Sequence, residues 1–255
     1  MSHVIAVAGK GGVGKTTICG LLIQYLAEAG KTPVLAVDAD SNSNLNEVLG
    51  IEAKQTLGEI REKIKKGSSL QSEVPKNMTK DVYAEQELFA ALTEEDDYDL
   101  LVMGRSQGAG CYCFVNSLLQ RQLNSIQGNY PYVVVDNEAG MEHISRGLLS
   151  KIDTIILVSD CSRRGIQAAA RIADLVEELN INPEKMGLIV NRAPNGKLSE
   201  GTQEEVENRK LNLFGVVPAD ELVYEYDCDG KAIVSLPEDS AIKTSIREIA
   251  EKIGL

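Results

Sequence analysis

This sequence predicts a single doubly wound α/β domain on a mostly parallel sheet, and three observations lead there. Short runs recur that are continuously apolar rather than alternating, the pattern of strands covered on both faces. Amphipathic helical stretches separate those runs, so the order is strand, helix, strand. The length, 255 residues with 43% hydrophobic and 25% charged, suits one compact domain spanning 1–255.

Taken in order, the first predicted strand is HVIAVA at 3–8, which begins almost at the N-terminus. A helical stretch, TTICGLLIQYLAEAG, follows and is ended by Gly30; PVLAVD at 33–38 is the second strand. The segment 51–95 is charged and poorly patterned and reads as helices and loops. DLLVMG at 99–104, YVVVD at 132–136 and TIILVSD at 154–160 continue the sheet. IQAAARIADLVEELN supplies a crossover helix, and GLIVN at 187–191 and LFGVV at 213–217 complete the strands. The C-terminal SAIKTSIREIAEKIGL reads as a closing helix, too short and too weakly basic for a membrane anchor.

Composition narrows the function. A net charge of −12 repels phosphate backbones, and the short basic groups KIKK (63–66) and SRR (162–164) are solvated faces, so no nucleic-acid partner is expected. Trp is absent and there are 3 Phe, which gives no stacking platform for bases. No apolar run reaches the roughly 18 residues of a membrane span. The N-terminus lacks the basic and apolar regions of a signal peptide. With an odd count of 5 cysteines, a reducing cytoplasm is expected.

The first strand runs directly into GKGGVGKTT, residues 9–17, which fits G-x-x-x-x-G-K-[ST] in the required strand-to-helix context. Glycines there let successive backbone N–H groups turn toward phosphate oxygens, and the following helix adds its positive end. Gly11, Gly12, Val13, Gly14, Lys15, Thr16 and Thr17 are the expected ATP/ADP-binding residues. Lys15 is expected to reach the β- and γ-phosphates, and the Thr16 hydroxyl to bind Mg²⁺. Asp38 and Asp40 stand where the second strand ends, and Asp136 ends the fourth predicted strand. That edge is where open α/β sheets bind ligands. Each acid could instead cap a helix, but three of them beside a phosphate loop favour a nucleotide role.

The stretch KGGVGKT, with its early lysine, resembles the deviant phosphate loop of the division-site and plasmid-partition ATPases, the nitrogenase iron protein and several metal-insertion ATPases. The resemblance implies a P-loop fold of that type. It gives Lys10 a catalytic role in trans, reaching the partner's nucleotide across a homodimer. It places Asp38 near Mg²⁺, makes Asp40 the residue that orients the attacking water, and makes Asp136 the acid on the Mg²⁺ side. It also implies that Gly140 gives its N–H to the γ-phosphate, that Asn191 reads adenine, and that Pro218, in Pro218–Ala219–Asp220, flanks the base.

Cys111 and Cys113, in GAGCYCFVNSLL, are the remaining oddity. A disulfide at this spacing is strained, and C-x-C is not the redox C-x-x-C. A predicted helix N-terminus lowers thiol pKa values, which suits metal binding. On spacing alone, a plain helix start with small thiols stays equally open. Cys19 falls on an apolar helix face, as buried thiols do. Cys161, at a strand end, and Cys228, in an acidic loop, have no partner at ligand spacing.

The C-x-C, together with DNEAGMEH at 136–143, is similar to the CooC-type nickel-insertion ATPases, whose AcsF branch serves acetyl-CoA synthase. That similarity implies an ATP-hydrolysing chaperone delivering Ni²⁺ to carbon monoxide dehydrogenase or acetyl-CoA synthase. The metal would sit between two subunits on four thiolates, a set that also suits Zn²⁺. The chain has two histidines, His3 and His143, so nickel storage is not expected; His143 reads as a helix residue tuning the second switch. Two other readings of the same engine are a positioning ATPase of the MinD/ParA kind and an iron–sulfur ATPase. The first wants a basic face or amphipathic tail, and the second takes its cysteines from well-separated loops.

Overall fold

The computed structural model describes residues 2–40, 42–66, 75, 77–104, 120, 121, 123–138 and 151–255. Cys111, Cys113, Gly140 and His143 lie outside the described residues. The described strands are β1 (His3–Gly9), β2 (Val34–Ala39), β3 (Thr93–Glu94), β4 (Tyr98–Val102), β5 (Tyr132–Asn137), β6 (Thr154–Ser159), β7 (Lys185–Ala193) and β8 (Leu213–Pro218). They form one 8-stranded sheet in the order β3-β4-β2-β5-β1-β6-β7-β8. Every pairing is parallel except β3 with β4.

The predicted doubly wound sheet is therefore present. Ala6, Leu35, Val37, Val133 and Leu157 point into one buried layer, beneath α3 (Leu57–Lys66), α4 (Lys80–Ala91) and α5 (Arg163–Glu178). Their neighbours Ile5, Ala36, Val134 and Ile156 point the other way. They pack against α1 (Lys15–Glu28), α2 (Leu45–Leu49) and the closing helix, with α6 (Glu200–Asn208) and α7 (Glu221–Cys228) preceding that helix, α8 (Ala241–Lys252). Ile5 is wholly buried between these layers. Truncating such a side chain to Ala costs about 2–5 kcal/mol.

Two local expectations change. The short antiparallel strand β3 occupies what read as helix and loop; Thr93 and Glu94 pair with Leu100 and Asp99. Two residues with one face exposed carry no continuous apolar run, so pairing, not pattern, makes this strand. Cys228 is the last residue of α7 and not part of a loop: Asp220 caps that helix by accepting from the Leu222 N–H at 3.1 Å. The charged look of YEYDCDG reflects a helix with no buried residue.

Candidate nucleotide site

β1 lies between β5 and β6, and its C-terminal end delivers the loop 9–14 to the edge where β2, β5, β6 and β7 also end. Gly9 has no room for a side chain, because a Cβ there would stand 2.3 Å from the Val158 carbonyl oxygen. Gly14 is the N-cap of α1 at φ 92°, a left-handed conformation that glycine adopts freely. A Cβ at Gly14 would meet the Asn191 amide nitrogen at 2.4 Å. The loop is thus wedged between the ends of β6 and β7.

Lys15, Thr16 and Thr17 open α1, whose first N–H groups have no partner within the helix. Lys15 is 6% exposed, and its Nζ donates to the Lys10 carbonyl at 3.4 Å. Lys10 itself is exposed, as a residue reaching outward needs to be.

The acids converge on the same place. Asp38 and Asp136 are register partners on the adjacent strands β2 and β5. They lie on the sheet face that α1 covers, and both are buried. Asp38 Oδ1 accepts from the Asp40 N–H at 3.0 Å, and Oδ2 from the Leu45 N–H at 3.0 Å. Its carboxylate therefore shapes the turn that carries Asp40, combining the capping and functional readings. Asp40 is half-buried and accepts from the Asn42 N–H at 2.8 Å.

Asp136 differs. No backbone N–H reaches its oxygens among the described residues; the Thr16 hydroxyl and the Cys19 thiol are its side-chain donors. Burial raises its pKa to about 6, with Thr16 and Lys15 pulling the other way. Burial likewise lifts Asp38 to about 7, opposed by the Leu45 N–H and reinforced by Asp136. Two adjoining buried carboxylates, one supported only by the Thr16 hydroxyl, the Cys19 thiol and the Lys15 charge, form an oxygen-rich anionic set that fits Mg²⁺. Cys19 lies beside them. Burial first, and Asp136 second, keep its thiol protonated, in agreement with the buried-thiol reading.

Open space matches this chemistry. A cleft of about 990 Å³ is lined by Gly12, Lys15, Thr16, Asp40, Glu138 and Arg192, among others. A second cavity of about 370 Å³ is lined by Asn191, Pro218, Asp220 and Tyr224, and the two share Thr17 and Arg192. The larger lies against the phosphate loop and the smaller against the ends of β7 and β8, and spaces of this size hold small-molecule ligands.

Asn191 and Pro218 both line the smaller cavity. The Asn191 amide also donates to the Val13 carbonyl at 2.9 Å, so it braces the phosphate loop as well. Arg192 and Glu138 are lining residues that the sequence did not single out. Arg192 adopts a left-handed backbone at φ 57° and donates to the Gly12 carbonyl at 3.2 Å. Its position follows a register shift in β7 between Val190 and Ala193, which no apolar pattern announces.

Comparisons with known proteins agree with this geometry. The family described as the CobQ/CobB/MinD/ParA nucleotide binding domain matches residues 4–233. An uncharacterized ATP-binding protein of Methanocaldococcus jannaschii is 41% identical, covering 98% of each chain. The carbon monoxide dehydrogenase accessory protein CooC of Rhodospirillum rubrum is 29% identical, over 91% of this chain and 89% of its own. Among solved structures, the septum site-determining protein MinD of Pyrococcus horikoshii, complexed with Mg-ADP, superposes with a TM-score of 0.72. That superposition covers 100% of this chain and 96% of that one at 19% identity, which speaks for the fold alone. With its phosphate loop, paired acids and two-part cleft in place, this chain belongs to the CobQ/CobB/MinD/ParA family and is a P-loop ATPase.

Proposed function

We propose that this ATPase is a nickel chaperone that delivers Ni²⁺ to carbon monoxide dehydrogenase or acetyl-CoA synthase. One observation carries the reading: a C-x-C stands in the sequence just after β4, and the chain resembles the CooC accessory protein along most of its length. Each subunit offers Cys111 and Cys113, so a two-fold dimer offers four thiolates to one soft ion. Ni²⁺ is the cargo, and Zn²⁺ would bind the same set in vitro.

On this reading the described residues divide the work of hydrolysis. Lys15 leaves the Lys10 carbonyl and neutralises charge on the β- and γ-phosphates. Asp40 orients the attacking water, held in place by Asp38 through the turn they share. Asp136, Thr16 and, at one remove, Asp38 hold Mg²⁺, which when bound offsets charge building between the terminal phosphates. Lys10 reaches the partner's nucleotide, Gly140 contacts the γ-phosphate, and Asn191 and Pro218 flank adenine. The acidic net charge fits a protein client in the cytoplasm better than nucleic acid or a membrane surface. Among the described residues no helix is long and apolar enough to cross a membrane.

Sedimentation with and without Ni²⁺, on the wild type and on Cys111→Ser/Cys113→Ser, tests the shared site. One nickel per dimer should bind and should promote dimerisation, and the double variant should do neither. One nickel per monomer with unchanged association would overturn the four-thiolate site. The MinD-like fold supports a second reading, a positioning ATPase. That reading predicts nucleotide-driven dimers indifferent to nickel. Acid-labile sulfide in anaerobically purified protein would instead point to an iron–sulfur ATPase.

A further inference from the structure

The end of β7 grips the phosphate loop at two consecutive carbonyls. Asn191 Nδ2 donates to the Val13 oxygen at 2.9 Å, and Arg192 Nη1 donates to the Gly12 oxygen at 3.2 Å. Arg192 is a non-glycine residue held at φ 57°, a strained conformation that persists only where the surroundings demand it. Its backbone N–H is in turn fixed by the Asn191 side-chain oxygen at 2.9 Å. Asn191 is buried, and Arg192 lines both the phosphate cleft and the smaller cavity.

A trans peptide is planar, with its C=O and N–H pointing in opposite directions. Pinning the Gly12 and Val13 carbonyls toward β7 therefore turns the N–H groups of Val13 and Gly14 the other way. We propose that Asn191 and Arg192 are positioning residues that aim these two N–H groups at the nucleotide's phosphates. Arg192 acts through the Gly12 carbonyl. The loop is preorganised before nucleotide arrives, so less ordering has to accompany binding. This role rests on the ATPase site alone and is independent of which metal or client the protein serves.

The test separates the donor from the strained backbone. Arg192→Gly removes the guanidinium and relieves the left-handed φ, so its melting temperature should equal or exceed that of the wild type. Its affinity for ATP and for inorganic tripolyphosphate, measured by calorimetry, should fall about 5- to 10-fold, as loss of one charged hydrogen bond at a partly exposed site implies. Affinity for AMP, which relies mainly on the base side, should change by less than about 2-fold. Arg192→Lys keeps a donor that can reach the Gly12 carbonyl and should restore part of the tripolyphosphate affinity. Wild-type tripolyphosphate binding by Arg192→Gly would overturn the proposal. So would a loss shared equally by AMP, or no rescue by lysine. If the glycine variant fails to fold, the lysine variant is compared with Arg192→Gln, and equal phosphate affinities there would overturn it as well.

Discussion

Buried carboxylates occur at both edges of this sheet, and they are treated in opposite ways. Where β6 begins, Asp153 accepts from the Val4 N–H at 2.8 Å and pairs with Lys151. Burial alone would raise its pKa, but those two partners hold it below the ordinary value. Where β5 ends, Asp136 is as deeply buried, has only the Thr16 hydroxyl and the Cys19 thiol as side-chain donors, and is pushed up to about 6. One carboxylate fastens strands together. The other has two weak neutral donors and the Lys15 charge, too little to offset its burial. A buried acid so thinly supported is a better pointer to function than burial alone.

The contrast can be broken most forcefully at Lys15, whose charge acts on Asp136. Lys15→Ala should lose nucleotide binding together with turnover, with hydrolysis falling by at least about 10²- to 10³-fold in a phosphate-release assay. Next in size is Asp40, which belongs to the turn and not to the anionic pair. Asp40→Ala should still bind ATP while hydrolysing it about 100-fold more slowly. Wild-type turnover in that variant would remove Asp40 from the water-orienting role.

A paired comparison of the two edges sharpens the point. Without nucleotide, Asp136→Asn should raise stability by about 1–3 kcal/mol in urea unfolding, because it removes a buried charge that Lys15 and Thr16 offset only in part. Asp153→Asn should lower stability by about 1–3 kcal/mol, because it weakens a satisfied network. Changes of the same sign would show that the edges do not differ as described. Asp136→Asn should also lose magnesium-dependent hydrolysis, while Asp153→Asn keeps it.

The smallest effect is expected at Glu205, between α5 and α6. Arg163 first, then Arg209 and Gln167, lower its pKa to about 2. Its charged form is thus favoured in the folded state, so the stabilisation is complete above the unfolded value of 4.5. It is lost as pH falls from there through about 2. Glu205→Gln should lower the melting temperature by on the order of a few degrees at neutral pH. That difference should close on acidification. Both arginines are largely exposed, so solvent screens these pairs and keeps the effect small.

Much of this was legible in the sequence, for identifiable reasons. Strands buried on both faces must be apolar throughout, so β1, β2, β5 and β6 announced themselves; β8, at the edge and only half-buried, still carried the short apolar run LFGVV. The loop 9–17 is local chemistry, carried by glycines and by a lysine with fixed neighbours. What stayed hidden depends on distant partners. β3 exists because Thr93 and Glu94 meet Leu100 and Asp99 across a tight reversal. Arg192 reads as a surface arginine until the bulge in β7 turns it onto Gly12. The second hydrogen bond of Asn191 likewise needs Val13, 178 positions away.

That separation orders events in time as the chain is made. β1 and its loop leave the ribosome first, yet β1 is flanked by β5 and β6, and its loop is braced by the end of β7. The first turn of the loop is in hand after fewer than twenty residues; the supports that shape it arrive only when synthesis reaches Arg192. Contacts this remote in sequence form late, after long stretches of chain have been closed into loops. A nascent or truncated chain ending before β7 therefore carries the full phosphate-loop sequence without a formed phosphate site. Capture by ATP then reports that synthesis has passed β7, and nucleotide favours chains long enough to brace the loop over every shorter intermediate.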